Sequence, residues 1–138
     1  MKIMAFDAGT VRIGVAVGDD SLKIALPVRY IENNPTLVSS IQKLFEEYGA
    51  DMIVVGNPLN MDGTKNPNTK FADDLAVIIG AIAPEKKLIM WDERLTSVEA
   101  GEVMIKNGLS RKKRKKTADK IAAALILQNY FDNAPKGQ

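Results

Sequence analysis

Four oxygen-bearing side chains stand out by type and position. Asp7 follows the apolar run Lys2 to Phe6, Asn57 lies just past Met52 to Val55, Glu93 just past Leu88 to Trp91, and Asp119 opens the last apolar segment. Carboxylates brought together repel one another unless a divalent cation sits among them, so their convergence would mark a metal-dependent centre. The 138 residues include no histidine and no cysteine. Thiol nucleophiles, imidazole acid–base catalysis, zinc-finger ligation and disulfides are thereby excluded, and any metal must sit on oxygen, which favours Mg²⁺, Mn²⁺ or Ca²⁺.

The elements that must position these groups follow from the periodicity. Lys2 to Phe6 and Val11 to Val17 read as two strands joined by Ala8-Gly9-Thr10. Ile24 to Ile31 reads as a third, placed at an edge by Pro27, which has no N–H for a ladder bond. A helix start is expected at Asn34-Pro35, with Leu37, Val38, Ile41, Leu44, Phe45 and Tyr48 on one face and Gly49 as its stop. Met52 to Val55 is the fourth strand. A loop from Asn57 to Asn68 leads to a helix marked by Phe71, Leu75, Ile78, Ile79 and Ile82 and ended by Pro84. Leu88 to Trp91 is the fifth strand. Thr96 to Glu99 forms a capping box for a helix reaching Asn107-Gly108, and Thr117 caps a last helix whose body, Ile121 to Phe131, is apolar on nearly every side and hence expected to be buried.

Short connections and right-handed crossovers make strands one, four and five parallel, in an α/β fold whose five-stranded mixed sheet has the order 3-2-1-4-5 and helices on both faces. Ligands of open sheets bind at the carboxyl ends of parallel strands. Asp7, Asn57 and Glu93 all fall there, Gly56 leaves the end of strand four clear, and the last helix, if it packs across the sheet, delivers Asp119 to the same edge. Singly, each residue also has a structural use: Asp7 as a turn former, Asp92-Glu93 as a solvated strand end, Asp119 as a helix-dipole complement.

Composition bounds the rest. With 46% hydrophobic and 26% charged residues, the chain reads as one domain, 1–138, with a tail fraying from about residue 132. No apolar run approaches the ~20 residues of a membrane span and no leader pattern opens the chain, so a cytoplasmic protein is expected. The formal charge is +2, yet Arg111, Lys112, Lys113, Arg114, Lys115 and Lys116 supply six of 19 basic residues, leaving 13 positive against 17 negative charges elsewhere. This basic segment, expected as a loop over 109–116, is the footprint of phosphate-backbone contact or, alternatively, a solvated loop.

Four blocks carry a family resemblance: Asp7 to Ala16, Val55 to Thr64, Asp92 to Ser97, and Asp119 to Tyr130. In this order they resemble the YqgF/RuvX family of RNase H-like proteins, described as Holliday-junction resolvases and as nucleases maturing the 5′ end of pre-16S rRNA. The resemblance implies an RNase H-like fold, Asp7, Glu93 and Asp119 as an acidic triad holding Mg²⁺ or Mn²⁺, and a precursor rRNA or branched-DNA substrate. Asn57 stands where this family often has leucine, and Ser97 where it often has threonine. An amide beside strand four bears on metal or substrate contacts.

With no other nucleophile, water must attack phosphorus, and two-metal hydrolysis is the expected reaction, with Asp7 bridging ions about 3.5–4 Å apart and Glu93 and Asp119 each anchoring one. Arg12, Lys65 and Arg94 would clamp flanking phosphates or form surface salt bridges, while the basic segment tracks the backbone. Whether the chain acts as a monomer or a homodimer is open at this level. Two other readings are a non-catalytic nucleic-acid-binding module and an actin-like-fold ATPase, the latter because Asp7 to Thr10 also looks like a phosphate-binding hairpin; its two-domain requirement exceeds 138 residues.

Overall fold

The computed structural model describes residues 1–9, 11–58, 62–92 and 111–133, with 111–120 as backbone. The strands are β1 (Lys2–Asp7), β2 (Arg12–Asp19), β3 (Ile24–Glu32), β4 (Met52–Asn57) and β5 (Lys87–Asp92). The helices are α1 (Leu37–Tyr48), α2 (Thr69–Ile82) and α3 (Arg111–Asn133). The sheet order is β3-β2-β1-β4-β5, with β1, β4 and β5 parallel and β2 antiparallel to both its neighbours, as expected from the topology. The capping-box helix expected after Thr96 lies outside the described residues.

Side chains alternate along each strand, so every strand feeds two cores. Met4, Phe6, Ile53 and Val55 pack with Leu37, Ile41 and Leu44 of α1 and Leu75 and Ile79 of α2. Ile3, Ala5, Met52 and Val54 pack on the opposite face with Ala123, Ile126, Leu127, Tyr130 and Phe131 of α3. The central strands are therefore apolar on both sides, and each buried Ile, Phe or Met contributes about 1.5–3 kcal/mol.

Several boundaries differ from expectation for local reasons. α1 begins at Leu37 because the Asn34 carboxamide oxygen accepts from Thr36 N (2.9 Å) and Thr36 Oγ1 (2.5 Å), holding Pro35-Thr36 in a turn. Gly49 does end it, at φ 61°, its N–H donating to Phe45 O (2.9 Å). In β3, Ala16 pairs with Pro27 and Val15 with Arg29, so Val28 is bulged and the edge strand accommodates its proline. α3 is not buried all round: Ala122, Ala123, Ile126, Leu127, Tyr130 and Phe131 form one buried stripe, with partly exposed residues, Ile121 and Leu125 among them, between. The basic segment is also corrected. Arg111 to Lys116 form the first turns of α3 rather than a loop, and Thr117 lies inside the helix; Lys and Arg are good helix formers.

Candidate active site at the carboxyl edge of the sheet

The carboxyl ends of β1, β4 and β5 bring Asp7, Asn57 and Asp92 to one edge, where β2 begins at Arg12 and β3 ends at Glu32. The turn that aims β1 at this edge is tightly built. A Cβ on Gly9 would collide with the Arg12 carbonyl oxygen, Asn33 Nδ2 donates to Gly9 O (3.0 Å), and Asn33 N donates to Val11 O (2.9 Å).

Alternation then divides the edge between two faces. Asp7 follows Ile3 and Ala5 onto the α3 face, whereas Asn57 follows Ile53 and Val55 onto the α1/α2 face, with Asp92 as its register partner on β5. Asp7 and Asn57 thus gather at one edge as expected, and the alternation sends them to opposite faces. Among the described residues, Asn57 Oδ1 is buried without a hydrogen-bond partner.

On its own face, Asp7 is flanked by residues that bring no side chain. Gly14 is its direct partner on β2, and Gly56 lies one step beyond the Phe6–Val55 pair on β4. Gly56 was legible from sequence. Gly14 was not, because its position opposite Asp7 depends on how many residues the hairpin turn consumes. The half-buried Asp7 is therefore flanked by a glycine on each neighbouring strand.

The direction of α3 is set by its carboxyl-terminal turns. Phe131 packs so closely on Gly18 that a Cβ there would lie 2.8 Å from Phe131 Cε2. Gln128 accepts from Ala25 N (3.0 Å) and donates to Lys23 O (2.9 Å), and Tyr130 Oη approaches Met52 Sδ (3.8 Å). Gly18 and Met52 both pair with Ile3, at the amino end of β1. Trp91 Nε1 donates to Asn129 Oδ1 (2.9 Å) and its ring meets Tyr130 edge-on at 5.3 Å. These contacts, with Ala123, Ile126 and Leu127 buried on the same face, seat α3 across the sheet on the side of Asp7.

A family model described as RuvX, Holliday junction resolvase, matches residues 1–133. The chain belongs to this family. A curated relative from Clostridium tetani (strain Massachusetts / E88), named "Putative pre-16S rRNA nuclease", is 43% identical over 135 residues, covering 96% of this chain and 97% of its own. One from Thermoanaerobacter pseudethanolicus with the same name is 42% identical over 140 residues, again covering 96% and 97%. Among solved structures, T. thermophilus RuvC in complex with a Holliday junction substrate is similar with a TM-score of 0.60 at 16% identity, over 95% of this chain and 93% of that one. The fowlpox virus Holliday junction resolvase is similar at 0.60 and 15%, over 96% and 98%. At those identities the likeness is one of fold, and the RuvX chain has the RNase H-like architecture expected from its sequence.

The remaining site residues of the RuvX chain fall as follows. Arg12 shares the α3 face with Gly14 and Asp7, and its guanidinium stands 5.2 Å from the Tyr30 ring centroid, a cation–π contact that holds it at the edge. Lys65 is exposed, on an ion pair with Asp73 (3.3 Å), which is the surface alternative named for it. Glu93 and Arg94 lie outside the described residues. Asp119 is placed as backbone, three and four residues before Ala122 and Ala123 of the buried stripe.

The loop before α2 is tied back to the end of β4. Asn66 Nδ2 and Thr69 Oγ1 both donate to Pro58 O (2.9 and 3.0 Å), while Asn66 Oδ1 accepts from Asn68 N (2.8 Å) and Thr69 N (3.2 Å). Thr69, the buried polar residue of α2, thereby has its hydroxyl satisfied. Sequence reading missed this pair, whose signal is an Asn three residues before a Thr at a helix start.

Proposed function

We propose that this RuvX-family chain is a nuclease that hydrolyses phosphodiester bonds of structured nucleic acid through a divalent metal held by Asp7, Glu93 and Asp119. The observation that carries the proposal is Asp7 itself, a carboxylate at the end of the central strand with glycines on both flanks, on the face that α3 covers. Counting back from Phe131, Asp119 lies roughly 18 Å along the helix at 1.5 Å per residue. From Ile3 to Asp7 the strand advances roughly 13 Å. These lengths support the reading that α3 is long enough to bring Asp119 to the edge that Asp7 ends.

The donors suit a hard divalent ion: all are oxygen, and two missing side chains leave room beside Asp7. When bound, Mg²⁺ or Mn²⁺ supplies Lewis acidity and an accessible hydroxide at neutral pH. The protein's own part is to hold the carboxylates in register, to orient a phosphate through Arg12 and Arg94, and to neutralise the backbone with the basic turns of α3.

For substrate, the relatives' name favours pre-16S rRNA, which the sequence resemblance narrows to its 5′ end in ribosome biogenesis, and the family description favours the four-way junction as the second reading. A junction would require two sites facing symmetric strands, and hence a homodimer; rRNA processing is open to a monomer. Among the described residues no helix is long and apolar enough to cross a membrane, in keeping with a cytoplasmic site of action.

The test is a cleavage assay with Mg²⁺ or Mn²⁺ on a precursor rRNA end and on a four-way junction, beside Asp7→Asn. Cleavage should fall by about a hundred- to a thousandfold in the variant, as when one preorganised charge-stabilising group is lost. Its melting temperature and nucleic-acid affinity should stay close to wild type. Retained cleavage would remove Asp7 from the chemistry, and a wild-type protein that binds but never cleaves would make the chain a binding module.

A further inference from the structure

The carboxyl edge of the sheet carries a second concavity, on the face opposite Asp7. It lies where the Ala8-Gly9 turn meets α1 and α2, has a volume of about 300 Å³, and is walled by Gly9, Asn33, Leu37, Phe71, Asp74 and Ile78 among others. That is the lower end of the roughly 300–1,000 Å³ of small-molecule sites, room for one flat ring system rather than an extended ligand. Its shape is fixed in advance. Asn33 Nδ2 donates to Gly9 O (3.0 Å), and the bonds of Asn66 and Thr69 to Pro58 O hold the start of α2, which carries Phe71 and Asp74, against the end of β4.

The chemistry of the walls is selective. Leu37, Ile78 and the partly exposed Phe71 offer apolar surface, on which a flat ring packs or stacks favourably. Asp74 is exposed, and among the described residues no ion pair or hydrogen bond engages its carboxylate; Lys65 pairs with Asp73 instead. A carboxylate repels phosphate. Whatever part of a polyanion enters this pocket must therefore present N–H donors, as a base edge does and a backbone does not. One amide N–H of Asn33 is spent on Gly9 O, which leaves the other to donate. Paired acceptor oxygens with a donor nearby match the Watson–Crick edge of guanine, whose N1–H and N2–H lie side by side next to the O6 acceptor. Adenine, cytosine and uracil each lack two adjacent donors.

The pocket also lies close to the proposed chemistry. Gly9 follows Asp7 by two residues, at most roughly 7 Å of chain. Successive nucleotides of a strand advance by about 3.4 Å along a helix axis. We infer that this pocket receives a guanine base of the bound strand, unstacked and turned over the edge of the sheet, one or two nucleotides from the phosphodiester held at Asp7. Asp74 is then the specificity-determining residue and Phe71 the stacking wall. The inference rests on the proposed nuclease site for the position of the cleaved bond, but not for the binding of the base.

The experiment measures binding of the full chain, in EDTA so that cleavage does not contribute, to a short oligouridine RNA with one central guanine, inosine or adenine. Inosine differs from guanine only in lacking the N2 amino group. Guanine should bind at least about tenfold more tightly than adenine, with inosine between, as when one base is read by paired hydrogen bonds. Asp74→Asn alters an exposed side chain, so circular dichroism and melting should be unchanged. The guanine-to-adenine ratio should fall to within about twofold of one, with adenine affinity the same or higher. Phe71→Leu keeps an apolar wall without the ring; it should weaken all three RNAs by a similar factor of about five or more and keep the ratio. Guanosine monophosphate in excess should abolish the preference without displacing the adenine RNA. Equal affinity for the three RNAs, an undiminished preference in Asp74→Asn, or absent binding would overturn the inference. So would guanosine monophosphate binding more tightly than the guanine RNA, which would make the pocket a free-nucleotide site. With Mg²⁺ or Mn²⁺ added, cuts should fall one or two nucleotides from a guanine. Cleavage without regard to guanine sinks this inference alone; a guanine preference that Asp74→Asn removes, without any cleavage, sinks the nuclease proposal alone.

Discussion

Asp7 and Asn57 end strands that are parallel neighbours, yet their side chains leave the sheet on opposite faces, Asp7 toward α3 and Asn57 toward α1 and α2. The residue in register beside Asp7 is Gly56. This one-residue offset decides which strand-four residue borders the proposed metal site, and the Asn57 amide lies on the other side of the sheet.

Asn57→Leu is therefore expected to change metal-dependent cleavage by less than about threefold. Because Asn57 Oδ1 is buried without a partner among the described residues, removing it should raise stability by about 1 kcal/mol. Cleavage rates and denaturant midpoints of the variant check both parts; a large loss of activity would bring Asn57 back into the site.

Gly56→Ala places a methyl group beside Asp7 on the α3 face while keeping a residue that a strand tolerates. About a tenfold loss of cleavage is expected with little change in melting temperature. Titrating the divalent ion should move the midpoint to higher concentration in the variant. An unaltered metal midpoint would show that the ion does not sit beside Gly56.

Gly18→Ala tests whether the far end of α3 sets the site. The new Cβ would meet Ile24 O at 2.7 Å and Phe131 Cε2 at 2.8 Å, and the backbone atom has little freedom to yield. Overpacking of this kind costs about 1–3 kcal/mol. Cleavage should fall as well, though Gly18 lies at the opposite end of β2 from Asp7, because moving Phe131 moves the helix that carries Asp119.

Tyr130→Phe should change the alkaline limb of stability. Burial, reinforced by Asp20, raises the Tyr130 phenol above its ordinary 10.0. A raised folded pKa means that the contribution is complete below pH 10.0 and is lost as pH climbs through the higher folded value. Wild type should lose stability in that interval, and Tyr130→Phe should lose less. Parallel pH profiles for the two proteins would mean that the phenol is not the group that titrates.

Much of this was legible before any coordinates. The short apolar runs ending at Asp7, Gly56 and Asp92 and the period-3.6 segments after Asn34 and Asn68 are local patterns, and they yielded the sheet order because short crossovers admit few topologies. The misreadings have local competitors as their causes. Asn34 spends its side chain on a turn and delays α1, and the basic segment looks like a loop by polarity although its residues favour helix. The Asn66–Thr69 tie to Pro58 joins groups eight and eleven residues apart, beyond any pattern of period two or 3.6.

The amino-acid order by itself determined which donors exist. Without histidine or cysteine the chemistry had to be that of oxygen ligands, and three carboxylates followed strand or helix boundaries that were visible as hydrophobic patterns. Tertiary structure alone decided faces and directions. A strand's side chains alternate with period two, so which ones share a face with Asp7 depends on cross-strand register, and that register is set by hydrogen bonds between segments far apart in the chain. In the same way the heading of α3 comes from Phe131 against Gly18 and Gln128 against β3, contacts more than a hundred residues apart that no local pattern encodes.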